Sequence, residues 1–247
     1  MRYIALIPAR YQSSRFPGKP LALICGKPMI QHVYERVSAV PQIHDVYVAS
    51  DDERIFNAVQ QFGGKAVMTA SVHQCGTERI TECADILGLD DTDMILNIQG
   101  DEPLVSKGIV DDLISCLNKP DTVMATLKKE IGEEERADAL NNPNVVKVVT
   151  DAKGNALYFS RCCIPYNRTG NTVRYYKHIG MYGYPKWFLK KFCSMEKTAL
   201  EMTESLEQLR VLESGYKIRV KETRHPSIGV DTPSQLKTAE KIMEMEL

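Results

Sequence analysis

Short apolar runs alternate with helical-period stretches through the first 130 residues, and this alternation sets the expected architecture. Ile4–Ile7 reads as a buried strand that opens into a long irregular loop, with no helix before Pro28. Behind Pro28, at the first helical position, Met29, Ile30, Val33, Tyr34 and Val37 recur at helical spacing up to Pro41. Ile43–Ser50 is the second strand. Asp51 or Asp52 caps a helix carrying Ile55, Ala58, Val59 and Phe62, closed by Gly63-Gly64, and Lys65–Thr69 follows as a third strand. A helix over about 77–87 leads to a strand, Met94–Ile98, that stops at Gln99-Gly100-Asp101. After Ser106 a helix carries Ile109, Val110, Leu113, Ile114 and Leu117, a strand runs near Thr122–Leu127, and Glu133–Arg136 reads as a solvated helix face. The alternation predicts an α/β fold with a mostly parallel, doubly wound sheet and ligands at the carboxyl ends of its strands.

From Val145 the pattern changes. Val145–Thr150 and Ala156–Ser160 flank a turn at 151–155, and alternating aromatic sequence resumes at Tyr175–Tyr184, which predicts antiparallel structure. Helices near Pro185–Phe192 and Glu204–Glu213, a strand at Lys217–Glu222 and a last helix capped at Thr232-Pro233-x-Gln235 complete the chain. With no internal repeat or low-complexity linker, residues 1–247 are expected to form one domain with a smaller antiparallel lobe at about 145–215.

Charge then narrows the chemistry. The net charge of −1 and pI near 6.5 argue against nucleic acid or an anionic membrane as partner, and no run approaches the ~20 apolar residues that span a bilayer. Seven cysteines without a C-x-x-C fit a reduced, cytoplasmic protein. The first 34 residues hold Arg2, Arg10, Arg15, Lys19 and Lys27 but no Asp or Glu, so positive charge is focused on the loop after the first strand. There Arg10, Arg15 and Lys19 stand among small residues (Ala9, Ser13, Ser14, Gly18) that let backbone amides approach an anion, a pattern suited to a triphosphate. Neither G-x-G-x-x-G nor G-x-x-x-x-G-K-[ST] is present. Asp101 ends a strand and Asp231 follows the apolar Ile228-Gly-Val230, so both carboxylates are expected at strand carboxyl ends, where they would bind magnesium. A turn or N-cap role competes at Asp231, beside Thr232-Pro233.

Pro8-Ala9-Arg10-x-x-Ser13-Ser14-Arg15-x-Pro17-Gly18-Lys19-Pro20-Leu21 resembles the signature loop of sugar nucleotidyltransferases, specifically the 3-deoxy-manno-octulosonate (Kdo) cytidylyltransferases. The likeness returns at His73-x-Cys-Gly-Thr-Glu-Arg79, Asn97-Ile-Gln99-Gly-Asp101-Glu-Pro103, Ser160-Arg161-x-x-Ile-Pro-Tyr166, Lys177-His178-Ile-Gly-x-Tyr182, Glu204-Ser-Leu-Glu207-Gln208-Leu-Arg210 and Ser227-Ile-Gly-Val-Asp231-Thr-Pro233.

The resemblance implies a nucleotide-diphospho-sugar transferase fold and transfer of CMP from CTP to the anomeric hydroxyl of a Kdo-type acid, releasing pyrophosphate, for lipopolysaccharide or capsule synthesis. Arg10, Ser14, Arg15 and Lys19 would hold the triphosphate, with Lys19 meeting charge at the α-phosphate. Cys75, Gly76, Thr77 and Arg79 would lie near base and ribose, although Ser is usual where Cys75 stands. The acceptor would be met by Gln99, Arg161 for its carboxylate, His178 and Tyr182 as hydrogen-bond donors, and Glu207 and Gln208 for hydroxyls. Mg2+ is the implied cofactor and a homodimer, built on the aromatic segment from about Arg161 to Tyr184, the implied assembly. The alternatives are another acid (8-amino-Kdo, a nonulosonate or a phosphonate) and a non-catalytic nucleotide-binding dimer.

Overall fold

The computed structural model describes residues 1–12, 16–119 and 121–246. In chain order the elements are β1 (Tyr3–Ala9), a 3-10 turn (Lys19–Leu21), β2 (Leu23–Ile24), β3 (Lys27–Pro28), α1 (Met29–Ser38), β4 (Ile43–Ser50), α2 (Glu53–Gln61), β5 (Ala66–Met68) and α3 (Gly76–Ile86). They continue with β6 (Met94–Asn97), α4 (Lys107–Leu117), β7 (Met124–Glu130), α5 (Arg136–Asn141), β8 (Lys147–Thr150), β9 (Ala156–Ser160) and β10 (Tyr176–Pro185). The last are α6 (Lys186–Cys193), α7 (Ala199–Glu204), α8 (Gln208–Glu213), β11 (Ile218–Glu222) and α9 (Pro233–Glu246). The chain divides into two compact units, one of residues 1–111, 185–193 and 225–247, the other of 112–184 and 194–224.

In the first unit β1 lies between β4 and β6, with β5 beyond β4, all parallel. Ile4–Ile7 are almost fully buried, as a central parallel strand covered on both faces requires. The apolar stripes of α1 (Met29, Ile30, Val33, Val37) and α2 (Ile55, Val59) are buried as their spacing predicts, and the Asp52 carboxylate caps α2 at Arg54 N. Pro28 is the N-cap of α1 rather than its first helical residue. Ala239 and Met243 of α9 pack with Val230, Met29, Ile24 and Leu104, which fixes the segment leading into Asp231. That segment is not a strand. A single backbone bond, from Val230 N to Asp101 O at 2.8 Å, ties it down, and Pro226 and Gly229 interrupt any longer ladder.

The second unit is built on β7, which β11 joins in parallel and β10 antiparallel, with β8 pairing both β9 and β10. A register shift in β10 between Ile179 and Tyr182 re-aims the side chains around it. Tyr175 and Tyr184, which suggested an interface, are core residues, whereas Tyr166 is 86% exposed. Glu133–Glu135 are exposed but precede α5 instead of lying along it. The single helix expected at Glu204–Glu213 is two: Ser205 adopts a left-handed conformation (φ 52°, ψ 51°) that ends α7, and the chain restarts at α8.

Between α7 and α8 the Arg210 guanidinium grips Glu201 in a buried bidentate pair, Nε to Oε2 at 2.7 Å and Nη2 to Oε1 at 2.5 Å. Removing one partner strands a desolvated charge, so Arg210→Met is expected to lower the unfolding free energy by about 3–5 kcal/mol in urea titrations. A loss below ~1 kcal/mol would show that Glu201 finds water or another partner.

Candidate functional site

The parallel order in the first unit brings the ends of β1, β4, β5 and β6 to one edge, and the charged residues that follow them gather there. The loop after β1 is pinched where Gly18 N donates to Tyr11 O at 2.8 Å. Gly18 has φ 71°, and a Cβ there would stand 3.2 Å from the Tyr11 ring, so the turn calls for glycine. Tyr11 is itself held under the Arg54 guanidinium, 3.2 Å from the ring centroid. The pinch delivers Lys19 to the first position of the 3-10 turn. Ser14 and Arg15 lie outside the described residues.

Lys19 Nζ donates to Asp101 Oδ2 at 2.6 Å and to Asp231 Oδ1 at 2.9 Å, so the two aspartates, distant in sequence, converge on one cationic point. Burial alone would lower the Lys19 ammonium, but the two carboxylates outweigh it and hold it above its ordinary value. Glu102 is the third acid here. Burial pushes its carboxyl up to about 7 against the bond it accepts from Ser227, and the charges of Asp101 and Asp231 add to the rise. Two carboxylates thus meet one lysine with Glu102 adjacent in sequence to one of them, a surplus of negative charge and of oxygen donors that suits a hard divalent cation. Among the described residues no group of three or more His, Cys, Asp or Glu has metal-binding geometry, so a cation on Asp101 and Asp231 would need substrate or water oxygens as well.

A polar cleft of about 350 Å³, lined by Arg10, Tyr11, Gln12, Asp51, Asp52, Ser71, His73 and Arg79, opens where the loops after β1, β4 and β5 leave the sheet. Arg10 Nη1 donates to Gln74 O at 2.9 Å, while its Nη2 is buried without a hydrogen-bond partner. Arg79, fully buried, pairs with Asp51 Oδ2 at 3.0 Å and donates to Thr69 Oγ1 at 2.6 Å, leaving Nε without a partner. His73 Nε2 meets Glu82 Oε2 at 2.5 Å. Cys75 is the N-cap of α3, its Sγ accepting from Glu78 N at 3.5 Å. Gly76 opens the helix so close to β1 that a Cβ would stand 3.2 Å from Pro8 Cγ, and Thr77 is buried behind it.

Of the residues expected to meet the acceptor, Gln99 belongs to the first unit, directly after β6; the others belong to the second. There the His178 ring packs between Phe159 (4.9 Å) and Tyr182 (5.4 Å). Burial raises the Tyr182 hydroxyl well above its ordinary range, and Tyr184 and then Glu207 add to the rise. His178 Nε2 lies 2.9 Å from Thr126 Oγ1, which donates its one proton to a backbone carbonyl, at 2.7 Å to Met181 O or 3.1 Å to Ile179 O. With the hydroxyl proton on a carbonyl, Nε2 donates to Thr126 and Nδ1 is the ring atom left as an acceptor. Gln208 is buried with Nε2 unpartnered. Arg161 donates to the carbonyls of Glu204 (2.6 Å), Pro143 (2.9 Å) and Ser205 (3.1 Å), so its guanidinium clamps the α7–α8 junction with three of its five N–H donors.

Sequence reasoning gave no role to Glu102 or Ser227, and gave Asp51 and Asp52 only that of a helix cap. Asp51 and Asp52 stand at the carboxyl end of β4, and the strand-end argument that found Asp101 finds them too.

Two outcomes follow from these contacts. Sulfur accepts hydrogen bonds weakly, so Cys75→Ser should strengthen the α3 cap and raise the unfolding free energy by about 0.5–1 kcal/mol in urea titrations; unchanged stability would remove the side chain as a cap. Burial pushes the His178 imidazole down to about 3. The unfolded chain therefore takes up this proton first, and stability, full above pH 6.5, falls as pH drops from 6.5 toward 3. The residue is partly exposed, so about 1.4 kcal/mol per pH unit is an upper limit. The loss of stability between pH 7 and 5.5 should shrink in His178→Gln; an identical loss would place another group behind it.

The model of the Cytidylyltransferase family matches residues 4–218. A 3-deoxy-manno-octulosonate cytidylyltransferase from Syntrophus aciditrophicus is 51% identical over 95% of this chain and 94% of its own length. An 8-amino-3,8-dideoxy-manno-octulosonate cytidylyltransferase from Shewanella pealeana is 50% identical over 97% of this chain and 98% of its own. The solved structure of a CMP:2-keto-3-deoxy-manno-octonic acid synthetase complexed with CTP superposes with a TM-score of 0.93 at 43% identity, covering all of both chains. Matched along nearly its whole length in sequence and fold, the chain belongs to the 3-deoxy-manno-octulosonate cytidylyltransferase family.

Proposed function

We propose that the protein transfers CMP from CTP to the anomeric hydroxyl of Kdo, giving CMP-Kdo and pyrophosphate. The observation that carries this reading is the convergence of Lys19, Asp101 and Asp231 in a unit that also holds a polar cleft with the unpartnered Nη2 of Arg10, in a chain whose fold matches a CTP-bound synthetase. The hydroxyl oxygen forms a bond to the α-phosphorus as the bond to the β-phosphate oxygen breaks, and negative charge builds on phosphate oxygens. Arg10 offers its free donor to that charge, and Lys19 brings an ammonium kept protonated by its neighbours. Asp101 and Asp231 would hold Mg2+, which when bound polarises phosphate oxygens.

On the acceptor side, His178 Nδ1 accepts from a sugar hydroxyl and Gln208 Nε2 donates to one. An 8-amino-Kdo acceptor is the second reading, favoured by the equal likeness to a relative named for that sugar. The product would feed lipopolysaccharide or capsule synthesis in the cytoplasm; among the described residues no helix is long and apolar enough to cross a membrane. A homodimer is part of the proposal, supported by the exposed Leu157, Tyr166 and Met202 of the second unit.

The test is pyrophosphate release with CTP, Mg2+ and either Kdo or 8-amino-Kdo. Lys19→Ala is expected to lower kcat about 10²–10³-fold with a smaller effect on CTP binding, because the charge it meets develops in the transition state. Asp231→Asn should lose most transfer and recover part of it in excess Mg2+. Full activity in both variants, or no release with either sugar, would overturn the reading.

A further inference from the structure

Two loops carry the aspartates, and they are joined at more than the aspartates themselves. The first is a tight turn, Glu102 N to Gln99 O at 3.2 Å and Val105 N to Glu102 O at 3.0 Å, which holds Asp101 and Glu102 on a rigid base after β6. The second, 226–232, has no strand pairing of its own. Val230 N bonds Asp101 O at 2.8 Å, next to Asp231, and Ser227 Oγ donates to Glu102 Oε2 at 2.8 Å, four residues before it. The other Glu102 oxygen lies beside Gly229, 3.7 Å from where a Cβ would stand.

We infer that Glu102 and Ser227 form a clip that sets the direction of the Asp231 carboxylate relative to Asp101. One backbone bond at Val230 leaves the loop free to pivot about that point. A second attachment three residues away removes the pivot, and the Asp231 N bond to Gln235 Oε1 at 2.8 Å anchors the far side to the first turn of α9. Glu102 and Ser227 are positioning residues: neither is bonded to Lys19, and both act through the spacing of two carboxylates. Metal-binding pairs depend on such outer contacts, because a carboxylate free to swing must be ordered again each time a cation binds.

The inference rests on the reading of Asp101 and Asp231 as cation ligands, and the experiment separates the two. Mn2+ binding to wild type, Ser227→Ala, Ser227→Thr and Asp231→Asn is followed by loss of the free-ion electron paramagnetic resonance signal, alongside the Mg2+ concentration for half-maximal pyrophosphate release and the melting temperature. Ser227→Ala is expected to weaken Mn2+ binding about 10-fold and raise the Mg2+ requirement equally, with kcat at saturating Mg2+ little changed. Ser227→Thr, which keeps the hydroxyl, should restore both. A merely structural serine would instead lower the melting temperature and kcat without moving the Mn2+ affinity. Wild-type Mn2+ affinity in Ser227→Ala, with loss in Asp231→Asn, overturns the clip and leaves the two-aspartate site standing; wild-type affinity in both overturns the two together.

Discussion

The first unit is organised around one ammonium group. Lys19 reaches Asp101 across 82 residues and Asp231 across 212, so a single side chain joins the loop after β1, the turn after β6 and the approach to α9. Two carboxylates held this close repel by about 4 kcal/mol at 4 Å separation and an effective dielectric of 20, and Lys19 offsets that repulsion. Other features make the meeting possible. Gly18 turns the chain so that Lys19 can reach inward, and Val230, buried against Met29 and Ala239, holds Asp231 at the edge of the core. The same ammonium stands at the sheet edge where the strands' carboxyl ends gather, so the interaction that closes the fold also places a positive charge there.

What local pattern can report was legible. The buried run at Ile4–Ile7, the stripes of α1 and α2 and the strand-end position of Asp101 all follow from periods of two and 3.6 and from turn residues. What depends on pairing between distant segments was not. Ile228–Val230 has the composition of a strand, but a strand also needs a neighbour along its length, and here it has one bond. The break at Ser205 carries no glycine to announce it; a left-handed serine is imposed by the packing of α7 and α8. Arg161 has the right chemistry for a carboxylate, and only the fold shows that three of its five donors also hold backbone carbonyls.

Buried polar groups are treated in two ways. Lys147, fully buried, gives its three donor positions to the carbonyls of Asn142, Val145 and Arg161, and Arg210 is closed by Glu201. These groups are complete without a ligand. Other buried atoms have no partner, among them Asp111 Oδ1 and Arg136 Nε, and three more, Arg10 Nη2, Arg79 Nε and Gln208 Nε2, belong to residues that sequence resemblance assigns to nucleotide or sugar. A buried donor without a partner costs about 1–3 kcal/mol, a strain that folding tolerates in few places. Binding a phosphate or a hydroxyl returns that energy, and returns it only to a ligand with an acceptor at the right place. Were those donors to meet the ligand, an analogue lacking that oxygen would leave them buried and unpaired, and the same atoms that destabilise the empty protein would supply its discrimination.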